Sequence, residues 1–178
     1  MSKNDGLNAD LFVKKELAII LVDMQEGYVE NLRDGEKERI IPNQRAVLEY
    51  CRVHDIPVIV LEFNTSRRGE TIPELLEVAK KNSNFDLLRK NYDDGFLCTD
   101  LDSTLKSLGV KTIFFMGVNA CYCVYSTARS TLARGYEIVT SNSVLSGMKH
   151  HNSDNDIPWY NSNGTCIDSV DAFIKSIV

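Results

Sequence analysis

A thiol, a carboxylate and an amine stand where catalytic groups would be useful in this 178-residue chain: Cys123, Asp23 and Lys90. Cys123 lies six residues after an apolar run that closes at Gly117, in the opening turn of a helical pattern. A helix N-terminus carries partial positive charge and free N–H groups. A thiol there is expected to ionise more readily, and the N–H groups can cradle an oxyanion. The alternative is a buried, inert thiol, the commoner fate of a free cysteine. Cys121 competes for the same role, but two residues on a helix are about 200° apart and cannot both face one site. Cys-x-Cys is also not the Cys-x-x-Cys spacing of a redox pair. Asp23 closes an apolar run, where a carboxylate is costly unless partnered or open to a cleft. Its other reading is a turn or a helix cap. Gln25 is placed to orient Asp23 or to cap the following segment. Lys90 would stabilise a thiolate and a developing oxyanion if brought near the other two, although spacing alone equally allows a surface lysine.

The elements that must bring these residues together show in the apolar pattern. Leu17 to Val22, Pro57 to Leu61, Thr112 to Met116 and Tyr136 to Thr140 are short, β-branched and apolar on both faces. Strands buried between two helix layers read this way. Phe85 to Arg89 is a further strand-like piece ahead of Lys90. Helical patterns lie between: Val47, Leu48 and Cys51 on one face, then Leu101, Leu105 and Leu108, then Val124, Ala128 and Leu132. Thr99 with Asp102 predicts a capping-box start, and Gly109 and Gly135 are placed to end helices. Ile167, Val170, Ile174 and Ile177 predict a C-terminal helix starting at Gly164-Thr165. The alternation predicts one α/β domain over 1–178, with residues 1–14 a polar extension. Its architecture is a three-layer α/β/α sandwich around a mainly parallel, five- or six-stranded, Rossmann-like sheet. Ligands in such sheets sit beyond the carboxyl ends of the strands, where Asp23, Asn64, Lys90 and the Gly117 to Cys123 turn all fall.

Composition excludes several functions. With 20 Lys and Arg against 25 Asp and Glu the net charge is −5, so no basic stripe is available for a nucleic acid. The polar start MSKNDGLNADLFVKK has no apolar signal core, and no run reaches the roughly 18 apolar residues of a membrane span. Five cysteines (51, 98, 121, 123 and 166) without a secretion signal argue for reduced thiols in a soluble, cytoplasmic protein.

Three segments, in order, resemble the signature segments of the isochorismatase-like, or cysteine hydrolase, superfamily: LAIILVDMQEGYV, LRKNYDDGFLCTDLDSTLKSLGV and IFFMGVNACYCVYSTARSTLARGYEIV. The resemblance spans roughly residues 15 to 145. It implies that Cys123 rather than Cys121 is the nucleophile, and that Asp23 and Lys90 complete an Asp-Lys-Cys triad. It implies a non-proline cis peptide at Val118-Asn119, whose Asn119 N–H joins that of Cys123 in an oxyanion hole. The implied activity is hydrolysis of a non-peptide amide or ureido C–N bond in a small molecule through a thioester. The implied assembly is a homo-oligomer, dimer or tetramer.

Departures from the family pattern narrow this further. Ser130 and Asn142 stand where relatives often carry Asp. The nicotinamidase branch binds a divalent metal through Asp-x-His and a further His after the second strand. This chain has Asn64-Thr65-Ser66-Arg67-Arg68 there, and its histidines are 54, 150 and 151. The expectation is therefore no metal and no cofactor. Gln25, Tyr28, Asn64 and Tyr122 are the candidate substrate contacts, with Trp159 a further aromatic wall. Arg67 and Arg68 read either as carboxylate binders or as a solvated turn. The polar tract 149–163 reads as a lid or an inter-subunit arm. The rival functions are an isochorismatase-type hydrolase acting on another bond and an inactive homologue serving as a binding or assembly subunit.

Overall fold

In the computed structural model, residues 11–147 and 157–178 are described. The apolar runs form the strands of one six-stranded, wholly parallel sheet: β1 (Leu17–Val22), β2 (Val58–Phe63), β3 (Phe85–Lys90), β4 (Thr112–Gly117), β5 (Glu137–Thr140) and β6 (Thr165–Cys166). The spatial order is β3-β2-β1-β4-β5-β6. The chain therefore winds outward from β1 to β3, crosses back and winds the other way from β4. The crevice opens at this reversal, between the carboxyl ends of β1 and β4.

The alternation along β1 explains the layers. Leu17, Ile19 and Leu21 join one core with α2 (Glu36–His54), α3 (Pro73–Ala79) and α7 (Val170–Lys175). Ala18, Ile20 and Val22 join the other with α4 (Leu101–Ser107), α5 (Cys123–Ala133) and α6 (Ile157–Asn163). A short α1 (Glu26–Val29) follows β1. β1 is buried along its whole length, as a central parallel strand must be.

Three local expectations are corrected. Thr165 and Cys166 are not a helix start but the edge strand β6, while α7 begins later, capped by the Ser169 side chain on the Ala172 N–H. The capping box at Thr99 does not form. The cap of α4 is Asp100, without a side-chain bond; Thr99 lies one residue earlier, where its hydroxyl donates to the Gly95 carbonyl and accepts from the Leu101 N–H at 3.3 Å, and Asp102 bonds Lys106 and Tyr136. The segment before β1 is not wholly an extension either. Phe12 is buried against Phe173 and bridges Ile177, so residues 12–14 tie the start of the fold to the end of α7. Residues 157–163 of the polar tract form α6, with Tyr160 in the core, whereas 149–156, including His150 and His151, lie outside the described residues.

Candidate active site

The crevice at the β1–β4 reversal is built from three strand ends. Asp23 follows β1 directly, in a left-handed conformation (φ 50°), and is fully buried. Lys90 ends the edge strand β3 in register with Phe63 and is also fully buried. Its Nζ reaches past β2 to Asp23 Oδ2 at 2.8 Å, donates to the Tyr92 carbonyl at 3.3 Å and sits 4.7 Å from the centroid of the Phe63 ring. Cys123 is the first residue of α5, beyond the turn that leaves β4, and only 3% of its surface is exposed. The Val118–Asn119 peptide bond in that turn is cis. The backbone N–H groups of Asn119 and Cys123 make no hydrogen bond among the described residues. Gly117 makes the turn possible. Its φ is 127°, and a Cβ there would lie 2.1 Å from the Val22 carbonyl oxygen.

Electrostatics divide the site unevenly. Burial raises the Asp23 pKa, and Lys90 opposes that rise without cancelling it. The second carboxylate oxygen, Oδ1, is buried and has no hydrogen-bond partner among the described residues. The Cys123 thiol is pushed up, first by burial and then by the charge of Asp23. The helix-terminus effect expected from the sequence is therefore outweighed, and the resting group is a thiol, not a thiolate. Its proton has two carboxylates within reach, and its hydrogen bond, at 3.4 Å, goes to Asp93 Oδ1.

Asp93 is the residue that sequence reasoning missed. It lies on an exposed loop after β3, held against α5 by Thr127. Thr127 Oγ1 accepts from the Gly95 N–H at 2.9 Å and lies 2.7 Å from the Cys123 carbonyl. Asp94 caps the same loop, accepting from the Phe96 N–H and the Ser130 hydroxyl. The available signal was two consecutive acids three and four residues past a strand-end lysine, facing the crevice where ligands bind.

The other expected contacts divide. Tyr28, on α1, is half-buried, and its hydroxyl is pushed up to about 12 by burial and by the charges of Asp23 and Cys123. Gln25 occupies the N-cap position of α1, its carbonyl accepting from the Tyr28 and Val29 N–H groups, but its side chain neither caps that helix nor bonds Asp23. Its amide is committed to the Phe63 N–H, the Phe63 carbonyl and the Gly69 carbonyl, which fixes the end of β2. Asn64 is exposed, bonds Asn91 and lines a cavity of about 320 Å³ with Gln25, Glu62 and Ser66. Tyr122 is exposed at the start of α5, and Cys121 is half-buried beside it. Trp159 packs edge-on against Tyr125 and Tyr160. Tyr160 in turn donates to the Ala120 carbonyl, so α6 braces the turn before Cys123. Arg68 does not occupy a solvated turn; it stacks on Tyr28. Among the described residues, no group of three or more His, Cys, Asp or Glu is arranged to hold a metal ion.

Comparison with known proteins agrees with this architecture. The C. elegans MAR1 ribonuclease superposes with a TM-score of 0.83 at 23% identity, covering 93% of this chain and 83% of that one. N-carbamoylsarcosine amidase from Thermoplasma acidophilum gives 0.73 at 22% identity, covering 88% and 97%. At these identities the two share the fold. A streptothricin hydrolase of Streptomyces noursei is 28% identical over 128 residues, 68% of this chain and 46% of the relative, so the chain spans about half of that protein's length. A model of the isochorismatase domain matches residues 17–158, and the chain belongs to the isochorismatase family of hydrolases.

Proposed function

We propose that the protein is a cysteine hydrolase that cleaves a non-peptide amide or ureido C–N bond of a small molecule, with Cys123 as nucleophile, Asp23 as base and Lys90 as its charge partner. One observation carries the reading: a fully buried Asp–Lys pair at 2.8 Å leaves one carboxylate oxygen without a partner among the described residues, next to a thiol whose proton burial retains. Buried polar atoms are normally satisfied, and an orphaned acceptor beside a nucleophile is a ready proton acceptor.

The chemistry follows from that arrangement. Asp23 takes the thiol proton as sulfur attacks the carbonyl carbon, so no free thiolate accumulates. The new C–S bond places negative charge on the carbonyl oxygen, to which the Asn119 and Cys123 N–H groups, without a partner among the described residues, are disposed to donate. Collapse breaks the C–N bond, and Asp23 returns its proton to the departing nitrogen. Water then attacks the thioester, Asp23 removes its proton, the C–S bond breaks and the thiol is restored. Lys90 keeps Asp23 ionisable within an apolar surround, a role that needs its charge rather than contact with substrate.

The test is an ammonia-release screen over ureido acids, carbamoyl amino acids, biuret and nicotinamide, paired with intact mass of rapidly quenched enzyme. The expected result is turnover with a covalent acyl adduct on Cys123. Turnover retained in a folded Cys123→Ala variant would end the proposal. Cleavage of a substrate without a C–N bond would support the other-bond hydrolase instead. A Cys123 that resists iodoacetamide at all pH values would support a binding subunit.

A further inference from the structure

In the reaction proposed above, Asp23 supplies the proton that lets the nitrogen leave, and the Asn119 and Cys123 N–H groups hold the carbonyl oxygen. The nitrogen also carries N–H bonds of its own, and these need an acceptor. Asp93 stands where one is required. Its Oδ1 accepts from the Cys123 thiol at 3.4 Å, so it touches the atom that attacks. No lysine or arginine among the described residues forms an ion pair with it. The neighbouring Asp94, by contrast, is spent on the loop, accepting from the Phe96 N–H at 2.9 Å and the Ser130 hydroxyl at 2.6 Å.

The loop is fastened on both sides of Asp93. Lys90 Nζ donates to the Tyr92 carbonyl at 3.3 Å, the Thr127 hydroxyl lies 3.3 Å from the Asp93 carbonyl, and the Gly95 N–H donates to that hydroxyl at 2.9 Å. Gly95 permits this approach, since a Cβ there would lie 2.6 Å from Leu61 Cδ1 and 3.1 Å from Thr127 Cγ2. Phe96 anchors the loop in the core. The backbone is thus held while Asp93 itself stays exposed beside the buried thiol. A carboxylate there repels a developing oxyanion, so the carbonyl oxygen turns from it toward the Asn119 and Cys123 N–H groups. It also opposes the thiolate: burial, then the charge of Asp23 and last that of Asp93 keep the proton on sulfur. Such a group hinders attack unless the substrate engages it. The scissile nitrogen can do so, because it brings N–H donors and gains positive charge as Asp23 protonates it.

We infer that Asp93 is the leaving-group acceptor: it takes the N–H of the scissile nitrogen in place of the Cys123 S–H and holds that nitrogen as the C–N bond breaks. The thiol, released from Asp93, turns its proton to Asp23. That proton passes through Asp23 to the nitrogen, sulfur keeps the acyl group, and an amine or ammonia departs. Asp93 accepts hydrogen bonds throughout and exchanges no proton. The inference rests on the amidohydrolase reading above. It selects substrates whose scissile nitrogen bears at least one N–H, and it disfavours N,N-disubstituted amides and esters.

The experiment runs the C–N step in reverse, with thermal melting as the folding control. 4-Nitrophenyl acetate acetylates Cys123, and hydroxylamine and methanol then compete for the acetyl group. Hydroxylamine gives one proton to Asp23 and still has an N–H for Asp93, whereas methanol has no second donor. Asp93→Ala should lower the ratio of acetohydroxamate to methyl acetate by about 10-fold, the lower end for a hydrogen bond to a charged group. Asp93→Asn keeps an acceptor oxygen and should recover most of that ratio. Asp93→Ala should also react a few-fold faster with iodoacetamide, because a charge that opposes the thiolate is gone. A merely structural loss would slow both reactions and leave the ratio alone. An unchanged ratio, or slower alkylation of Asp93→Ala, overturns the inference and leaves the amidohydrolase reading intact. A wild-type Cys123 that takes no acetyl group strikes both.

Discussion

Asp23 and Glu36 are both carboxylates beside a cation, and their pKa values move in opposite directions. Glu36, at the start of α2, accepts from Arg39 on both oxygens, Nε at 2.9 Å and Nη2 at 2.6 Å, and also from the Ser146 hydroxyl. Its pKa is lowered, chiefly by the Arg39 hydrogen bonds. Asp23 is fully buried, has one lysine contact, leaves Oδ1 without a hydrogen-bond partner among the described residues, and its pKa is raised. The lesson is in the unfilled valence. A carboxylate with both oxygens engaged is a clamp, while one left short of partners can gain and lose a proton. The clamp serves the site indirectly: Ser146 accepts from the Ala120 N–H and donates its own N–H to the Gly117 carbonyl, holding the turn before Cys123.

The largest effects fall on the proton-transfer side of this contrast. Cys123→Ala should lower kcat by about 10⁴-fold or more, because no other group can form the thioester. Asp23→Asn should lower it by about 10²- to 10⁴-fold, the range for a general base, while the protein remains folded. Steady-state kinetics with far-UV circular dichroism separates loss of chemistry from loss of fold. A comparable drop from Glu36→Gln would erase the distinction between the two carboxylates.

Lys90→Met removes one member of a fully buried pair, a change that costs about 3–5 kcal/mol when the partner stays charged. Asp23 has an escape, since its pKa is already raised and would rise further. The sign follows: a group protonated more readily in the folded state contributes stability at low pH and loses it as pH rises through the folded pKa. The variant's melting temperature should therefore fall with rising pH, and more steeply than that of the wild type. A deficit independent of pH would show that Asp23 does not carry the charge that Lys90 balances.

Much of this was legible in the sequence. β1, β2, β4 and β5 were readable because strands covered on both faces are continuously apolar, and Asp23 and Cys123 stand after two of them, whereas Lys90 ends the half-exposed edge strand β3 and its role was legible only through the family resemblance. β6 was not, since two residues at a sheet edge, Thr165 and Cys166, carry no periodicity. The capping box at Thr99 failed because α4 begins one residue later, after Asp100, so the Thr99 hydroxyl meets the Leu101 N–H rather than that of Asp102 while it donates to the distant turn at Gly95. The direction of the Cys123 shift was misjudged for a related reason: a helix terminus is local and visible, but desolvation depends on α4, α6 and the strands packed around the thiol. Asp93 and Ser146 meet their partners 30 and 110 residues away, contacts that only the finished topology specifies.

Asp93 offers a finer test of what sets the Asp23 proton. Its negative charge raises the Asp23 pKa, as a smaller contribution than burial. Asp23 must be ionised to accept the thiol proton, so kcat/KM should climb with pH along a limb set by that raised pKa. Asp93→Asn should move the limb to lower pH by less than about one unit, since Asp93 is exposed and its field is screened. Plateau kcat/KM should change only several-fold. A limb that stays in place would mean that the titrating group is not Asp23.

The smallest expected effect lies on the clamp side. Glu36→Gln removes a charge-assisted pair at a partly exposed position, worth about 1–2 kcal/mol after allowance for solvent. In the wild type that stabilisation is present above the ordinary carboxylate pKa and fades as pH falls through the lowered folded value, the reverse of the Asp23 dependence. Denaturant titrations at neutral and acidic pH should therefore show the variant and wild type converging in acid. Because Ser146 loses one of its anchors, kcat should drop a few-fold at most while KM is held, reflecting a slightly looser turn at Asn119 rather than altered substrate binding. Convergence at neutral pH instead would mean that Arg39 is held by its bonds to the Asn142 and Leu145 carbonyls and needs no carboxylate.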